Sequence, residues 1–151
     1  ERRRRAGTEN LAAIAGFGAA AEAAHAALAE AGTISAFRDD MIAAIRSATP
    51  GAVIIGDGAP RLPNTLSVAV PGLLAETMVI RFDLAGIALS AGSACSSGKV
   101  GASHVLEAMG LPREITTCAI RISLGHATTK GEIDRFVAAW KDITAKTALA
   151  A

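Results

Sequence analysis

The sequence has 151 residues, with 15 Lys and Arg against 14 Asp and Glu, so that its net charge is +1. This length predicts one domain that can bury a core without a disulfide bond or a metal ion. The near-neutral charge and the aromatic content of only 3% argue against a nucleic-acid partner. A hydrophobic fraction of 51% excludes a disordered chain, and two cysteines without a CxxC spacing predict neither a disulfide framework nor a metal site.

The N-terminal part of the chain predicts two helices. The first would run over residues 9–31, with Thr8 as its N-cap and Gly32 as its C-cap. The second would follow directly and end near residue 48. Apolar residues at three- to four-residue spacing predict one core-facing stripe on each helix, formed by Leu11, Ile14, Phe17, Ala21 and Leu28 on the first and by Phe37, Met41, Ile42 and Ile45 on the second.

A basic N-terminus before an apolar run raises the question of an export signal. Residues 2–5 are all arginine and residues 11–21 are apolar, as in a secretory leader. The polar residues 7–10 between them, and the helical pattern beyond, disfavour that alternative. No stretch reaches the ~20 consecutive apolar residues that a membrane span needs. We therefore expect a cytoplasmic protein without a membrane partner.

Later in the chain, short runs alternate with the period of two residues that is typical of strands. Strands are predicted over residues 53–55, 65–70, 87–89 and 118–124, and helices over residues 73–83, 103–109 and 130–147. The connections between consecutive strands are short, which favours antiparallel pairing. The sequence therefore predicts an α+β fold with a small, mostly antiparallel sheet of three to four strands packed with helices.

Gly and Ser dominate residues 90–102, which show no apolar periodicity. Cys95 lies there among small or hydroxylated neighbours, whereas Cys118 begins a predicted strand. An accessible thiol in such a loop is suited to attack a substrate and carry the product away, and Lys99 would favour its thiolate. The alternative is an incidental loop cysteine, and the residues alone do not decide between the two.

Two further residues are candidates for binding anions. Arg121 alternates with Ile120 and Ile122 in a predicted strand, so its side chain belongs to the opposite face. It is either an ordinary exposed arginine or a rigidly held guanidinium that binds a carboxylate through two hydrogen bonds. Thr8 stands at the predicted start of the first helix. Its hydroxyl either serves only as the helix N-cap or, together with the free backbone amides there, binds a phosphate.

Separated segments of the chain together resemble one family. Residues 5–10 (RAGTEN), 93–100 (SACSSGKV) with 103–106 (SHVL), and 119–125 (AIRISLG) are similar, in this order, to segments of the cysteine desulfurases. These enzymes are class-V aminotransferase relatives that use pyridoxal phosphate. The resemblance covers almost the whole chain and corresponds to the C-terminal part of such an enzyme.

The resemblance implies a domain division and a role for each candidate. Residues 1–32 would be a linking helix and residues 33–151 the C-terminal small domain of a fold-type I enzyme, with residues 90–102 as its mobile cysteine loop. Cys95 would attack the sulfur of a cofactor-bound cysteine and become a persulfide. Arg121 would hold the substrate carboxylate, and Thr8 would contact the phosphate of pyridoxal phosphate in the partner subunit of a homodimer.

The resemblance also implies partners. The long serine-rich loop is similar to the group that feeds iron–sulfur cluster assembly, including the version associated with nitrogen fixation. The expected partners are therefore L-cysteine and a sulfur acceptor or iron–sulfur scaffold protein, and no metal site is implied.

The chain departs from the family in lacking the Ser-x-His-Lys segment whose lysine binds the cofactor in the large domain. Its lysines are Lys99, Lys130, Lys141 and Lys146, and none stands in such a motif. We therefore expect the isolated chain to be inactive and to act as the C-terminal domain of an enzyme that converts L-cysteine to L-alanine. The alternatives are a non-catalytic sulfur-relay or partner-binding module and a purely structural α+β domain.

Overall fold

Residues 7–91 and 102–148 are described by a computed structural model. The helices are α1 (Leu11–Ala27), α2 (Ala31–Ala48), α3 (Ala75–Leu84), α4 (His104–Ala108), α5 (Arg113–Thr116) and α6 (Lys130–Ala148), and a 3-10 turn (Leu28–Glu30) joins α1 to α2. The strands are β1 (Val53–Ile54), β2 (Thr65–Ala69), β3 (Ser90–Ala91) and β4 (Ala119–Ser123). They form one antiparallel sheet in the order β1-β2-β4-β3, which confirms the predicted α+β fold.

One face of the sheet carries the main core. Leu66 and Val68 of β2 and Ile120 and Ile122 of β4 point to this face, and α2, α3 and α6 cover it. Three aromatic rings pack together at its centre, with centroids 5.3 to 6.3 Å apart: Phe82, Phe136 and Trp140. Burying each such side chain stabilises the fold by about 1.5–3 kcal/mol. The stripe predicted for α2 is therefore confirmed, and the predicted helix α6 supplies much of the same core.

Among the described residues, the other face of the sheet is covered at one end only. A smaller cluster lies beneath α4 and α5, and it consists of Ala69, Leu106, Ile115, Cys118 and Ala119. Toward the other end, the strand residues on this face are Thr65, Ser67, Arg121 and Ser123. This half-open face positions the candidate site described below.

The start of the first helix and its end differ from the sequence prediction. Asn10, rather than Thr8, caps α1, because the Asn10 side chain accepts a hydrogen bond of 3.0 Å from the amide of Ala13. Gly32 does not end a helix but lies inside α2, since the 3-10 turn carries the chain from α1 directly into α2. A glycine within a helix is tolerated at a cost of about 1 kcal/mol, which the buried face of α2 can offset.

The apolar stripe predicted for α1 does not face a core. Leu11 is 74% exposed and Phe17 is 78% exposed, and no residue of α1 is buried. The prediction was wrong because alanine and glycine fill the positions between the large residues, so the helix is apolar on all sides. Such a helix is typical of one that other protein or lipid covers.

One helical segment meets the length and composition conditions for a membrane span, although it holds no run of ~20 consecutive apolar residues. The continuous helical run Leu11–Ala48 qualifies by length and composition alone, with an 18-residue window of mean hydropathy 1.4 that is not buried. The sequence prediction divided this run at Gly32, which the structure shows to be helical. Core helices of soluble proteins and leader segments meet the same condition, so the observation does not decide between them.

The third strand lies later in the chain than predicted. Residues 87–89 were expected to form it, but pairing with β4 begins at Ser90, opposite Arg121. Ile87 and Leu89 instead pack against the core from the segment after α3, which turns at Gly86 with a φ of +72°. Residues 92–101, which make up most of the expected mobile loop, lie outside the described residues.

A chain of hydrogen bonds joins the end of α2 to α6 and gives a testable contribution to stability. The indole N–H of Trp140 donates to Oγ1 of Thr49 at 3.0 Å, and Thr49 donates to Oγ1 of Thr144 at 3.3 Å. Because Trp140 is 1% exposed, removing its acceptor leaves a buried donor unpaired. We expect Thr49→Val to lower the free energy of unfolding by about 1–3 kcal/mol.

Urea unfolding followed by the fluorescence of Trp140, the single tryptophan, measures this loss. Thr144→Val is the matched control, because it removes a hydroxyl from the same chain of bonds but leaves the indole its acceptor. We expect the control to lose less stability than Thr49→Val. Equal losses in the two variants would contradict the interpretation.

Candidate functional site

Arg121 is the only charged residue in the four described strands. It is exposed, whereas Ile120 and Ile122 on either side of it are buried, so the predicted alternation in β4 is confirmed. Since β4 pairs with β2 on one side and with β3 on the other, its backbone is held by two ladders. The guanidinium therefore extends from one of the most constrained positions in the sheet.

Small hydroxylated residues surround Arg121 on its face of the sheet. Its direct partners are Ser67 on β2 and Ser90 on β3, and directly paired residues share a face. Thr65 and Ser123 form the next pair on that face. No large side chain of the described strands covers the guanidinium, so a ligand can approach it from above the sheet.

The guanidinium of Arg121 makes no hydrogen bond or ion pair with another residue in the described ranges. Other described arginines are bound, as Arg46 and Arg61 show by sharing the carboxylate of Asp57, but Arg113 on the surface of α5 has no such partner either. The donors of Arg121 are thus available, and their fork matches a carboxylate through two parallel hydrogen bonds. This arrangement favours an anion-binding role over that of an ordinary surface arginine.

The segment that contains Cys95 begins beside Arg121. Cys95 and Lys99 both lie outside the described residues, so their predicted roles stay predictions. The described chain stops at Ala91, which pairs with Ile120 next to Arg121, and resumes at residue 102 before α4. One end of this segment therefore continues from β3, the strand next to the one that carries Arg121.

Thr8 lies on a different element from Arg121. The chain turns at Gly7, which has a φ of +95°, and the exposed Thr8 follows it before α1 begins. A hydroxyl at this place can donate to a phosphate, as the sequence suggested, although Asn10 serves as the cap. The geometry is compatible with the predicted role of Thr8 and does not bring it to Arg121 within this chain.

Among the lysines whose side chains the structure describes, Lys130 and Lys141, neither shows a feature of an imine-forming lysine. Lys130 contacts Asp134 at 2.7 Å and Asp40 at 3.8 Å, and the hydrogen bond to Asp134 raises the pKa of its ammonium group. An imine-forming lysine must instead lose its proton easily. Lys141 is exposed on α6. The residues present thus fit two contacts of pyridoxal phosphate and its substrate, a phosphate donor and a carboxylate clamp, but not its covalent anchor.

A cavity of about 270 Å³ lies on the core side of the sheet, near the start of α6. Arg121 does not line it, because Arg121 belongs to the opposite face. Its charged residues are already engaged: Glu132 accepts from the amide of Thr129 at 2.8 Å, which lowers the pKa of its carboxyl group, and Arg135 donates to the carbonyl of Gly86 at 3.4 Å. Both charged residues that line the cavity thus hold contacts within the fold.

Sequence reasoning missed the two serines beside Arg121. Ser67 was assigned to a strand, but its partner there was not predicted. Ser90 was assigned to a loop, because the strand was placed over residues 87–89. Only the register of the sheet, which depends on long-range pairing, shows that both flank the arginine.

Comparisons with known proteins agree with the resemblance seen in the sequence. The sequence profile of the aminotransferase class-V family matches residues 1–136. Cysteine desulfurase NifS of Azotobacter vinelandii is 43% identical over 138 residues, which cover 91% of this chain and 34% of that protein. A cysteine desulfurase of Gluconacetobacter diazotrophicus is 41% identical over 147 residues, which cover 97% of this chain and 37% of the relative. The chain spans about a third of the length of these relatives.

Solved structures give the same result for the fold. A NifS-like protein from Rickettsia africae superposes with a TM-score of 0.80 at 34% identity, over 93% of this chain and 36% of the other. DndA from Streptomyces lividans superposes with a TM-score of 0.57 at 30% identity, over 81% of this chain and 34% of the other. The observed helices and antiparallel sheet are thus similar to one part of these larger chains.

Proposed function

This chain belongs to the aminotransferase class-V family, and on that premise we propose that it is the C-terminal part of a pyridoxal-phosphate-dependent cysteine desulfurase. In the proposed reaction L-cysteine becomes L-alanine, and its sulfur remains on Cys95 as a persulfide. The observation that carries the proposal is the unpaired Arg121 on a rigid strand, next to the point where the Cys95 segment leaves the sheet. The relatives named cysteine desulfurase support the same reaction.

The sulfur transfer balances without an external oxidant or reductant. The Cys95 thiolate forms a sulfur–sulfur bond with the substrate sulfur while the carbon–sulfur bond of the substrate breaks. The electron pair of the broken bond passes to the carbon skeleton, which takes up a proton and gives L-alanine. When bound, pyridoxal phosphate supplies the electron sink that makes this cleavage feasible. One thiol and one cysteine thus give one persulfide and one alanine.

The residues of this chain would position the reactants. Arg121 would hold the substrate carboxylate through two charge-assisted hydrogen bonds and so fix its orientation. Cys95 lies four residues beyond Ala91, and an extended chain of that length reaches about 14 Å at most. The thiol can therefore visit a substrate bound at Arg121 and carry the sulfur some distance away. Thr8 would donate to the phosphate of the cofactor bound by the partner subunit.

The chain alone would not complete this site. The imine-forming lysine would come from polypeptide outside these 151 residues, so we expect the isolated chain to be inactive. We also propose a homodimer, a cytoplasmic location, and an iron–sulfur scaffold or other sulfur acceptor as the destination of the sulfur, including the scaffold that serves nitrogen fixation in the similar group. These proposals rest on the family resemblance and on the relatives.

The test uses the full-length protein, meaning the product of the complete reading frame that contains this chain. Incubated with pyridoxal phosphate and sulfur-labelled L-cysteine, it should release L-alanine and carry label on the peptide that contains Cys95. Absence of both products would refute the proposal. The sulfur-relay alternative predicts no alanine, but a gain of one sulfur atom at Cys95 when a separate active desulfurase is added, which intact mass measures.

The exposed α1 gives a prediction for the isolated 151-residue chain. Because Leu11, Phe17 and Leu28 are each more than half exposed, two copies can bury apolar surface against each other. We expect self-association at micromolar concentration, measured by size-exclusion chromatography with light scattering, and weaker association in Phe17→Glu. Leu84→Glu, at a residue 83% exposed on α3, is the control and should not weaken it. A monomeric parent chain would contradict the prediction.

A further inference from the structure

Arg121 has a serine on each side in the same row across the sheet. Ser67 of β2 and Ser90 of β3 are its direct partners, and side chains of such pairs are about 4.5–5.5 Å apart at Cβ. When the Arg121 side chain lies along the sheet, a ligand bound by its guanidinium is within reach of both hydroxyls. The family resemblance assigned no role to either serine.

The two serines differ in what their hydroxyl protons do. Ser67 is half-buried, and its hydroxyl donates to the carbonyl oxygen of Ile120 at 3.3 Å. Ser90 is exposed, and its hydroxyl makes no hydrogen bond with another residue in the described part of the chain. Ser90 thus has a proton free to donate, whereas Ser67 offers only an acceptor.

A carboxylate can use the free proton of Ser90. It accepts through about four lone-pair positions on two oxygens, and a guanidinium fork occupies two of them. A hydroxyl beside the guanidinium can donate its proton to a third lone-pair position of the carboxylate. A hydroxyl whose proton is already donated to another acceptor, as in Ser67, cannot do so. We propose that Ser90 donates a second, neutral hydrogen bond to the carboxylate held by Arg121 and is thereby a substrate-positioning residue.

This proposal rests on the proposed function, in which the carboxylate is that of L-cysteine. The backbone of Ser90 is held opposite Arg121 by pairing in β3, so the distance between the two donors is set by the sheet. A substrate bound by both would lie at the base of the segment that contains Cys95, which starts two residues after Ser90. The hydrogen bond would therefore limit the orientations that the bound substrate adopts above the sheet.

The experiment measures steady-state kinetics of the full-length protein with L-cysteine. Ser90→Ala should raise KM about tenfold, the effect expected for one hydrogen bond to a charged group, with kcat within about twofold of the parent. Ser90→Thr keeps the hydroxyl and should restore KM. Ser67→Ala is the matched control on the other side of the arginine, and its KM should stay within about twofold of the parent.

Inhibition by the product supplies a second measurement that misfolding would not mimic. Ser90→Ala should weaken inhibition by L-alanine about tenfold but leave inhibition by L-alaninamide, which lacks the carboxylate, unchanged. An unchanged KM in Ser90→Ala, or an equal rise in Ser67→Ala, overturns the role of Ser90 while the desulfurase function stands. A parent protein that does not turn over L-cysteine overturns both.

Discussion

Replacing Cys95 by serine is expected to abolish sulfur transfer from L-cysteine in the full-length protein, with a loss of at least ~10³-fold. The variant lacks the sulfur atom that forms the new bond, and a serine hydroxyl does not replace a thiolate as the acceptor of sulfur. The absorbance of bound pyridoxal phosphate should persist, because Thr8 and the polypeptide beyond this chain are unchanged. Alanine formation and persulfide on the Cys95 peptide are the two quantities to measure.

Cys118 provides the matched control, since it is the only other cysteine of the chain. It is 4% exposed and packs in the small cluster with Leu106 and Ile115, on the covered end of the sheet face. Cys118→Ala should keep sulfur transfer and lose about 1 kcal/mol of stability through the small cavity it leaves. Normal transfer by Cys95→Ser, or lost transfer in a folded Cys118→Ala, would refute the assignment.

The helices and strands that form the core could be predicted because the spacing of their apolar residues matches which residues are buried. The spacing of Ile133, Phe136 and Trp140 determines which face of α6 turns inward. In α1 the same reasoning failed, because Ala and Gly between the large residues leave no polar face to contrast with an apolar one. Which side of such a helix is covered depends on what packs against it, and that information is not local.

The candidate site was predictable only where one strand determines it. Alternation with Ile120 and Ile122 is a property of β4 alone, so the orientation of Arg121 followed from the sequence. The position of Ser90 depends on the register between β3 and β4. The strand was predicted too early in the chain because Ile87 and Leu89 are apolar, although they pack against the core outside the strand. The role of Cys95 rests on composition and resemblance, and it stays a prediction.

Both the local sequence pattern of β4 and the long-range pairing of the strands determine the half-open face of the sheet. The fold covers one end with α4 and α5 and leaves Arg121 uncovered at the other, although an unpaired arginine there contributes nothing to the core. An exposed arginine adds little to stability, whether or not it is ion-paired. The position of Arg121 is compatible with the proposed ligand, the carboxylate of L-cysteine, and the kinetics of Arg121 variants test that proposal.

Replacing Arg121 by alanine is accordingly expected to lower kcat/KM for L-cysteine by about 10²-fold, because two hydrogen bonds to a charged group are lost together. Arg121→Lys keeps the positive charge but loses the fork, so it should recover only part of the activity. Neither change should alter the free energy of unfolding by more than about 0.5 kcal/mol, since the side chain is exposed and contributes to no described ion pair. Kinetics and urea unfolding on the same preparations separate the two effects.

Arg46→Ala serves as the control for this last prediction. Arg46 is also exposed, but it lies on α2, on the opposite side of the sheet, and pairs with Asp57. Its loss should cost at most about 1 kcal/mol of stability and leave kcat/KM unchanged, because a surface ion pair contributes little. If Arg121→Ala instead destabilised the fold as its main effect, or left kcat/KM at the parent value, the arginine would be structural and the carboxylate would have to be held elsewhere.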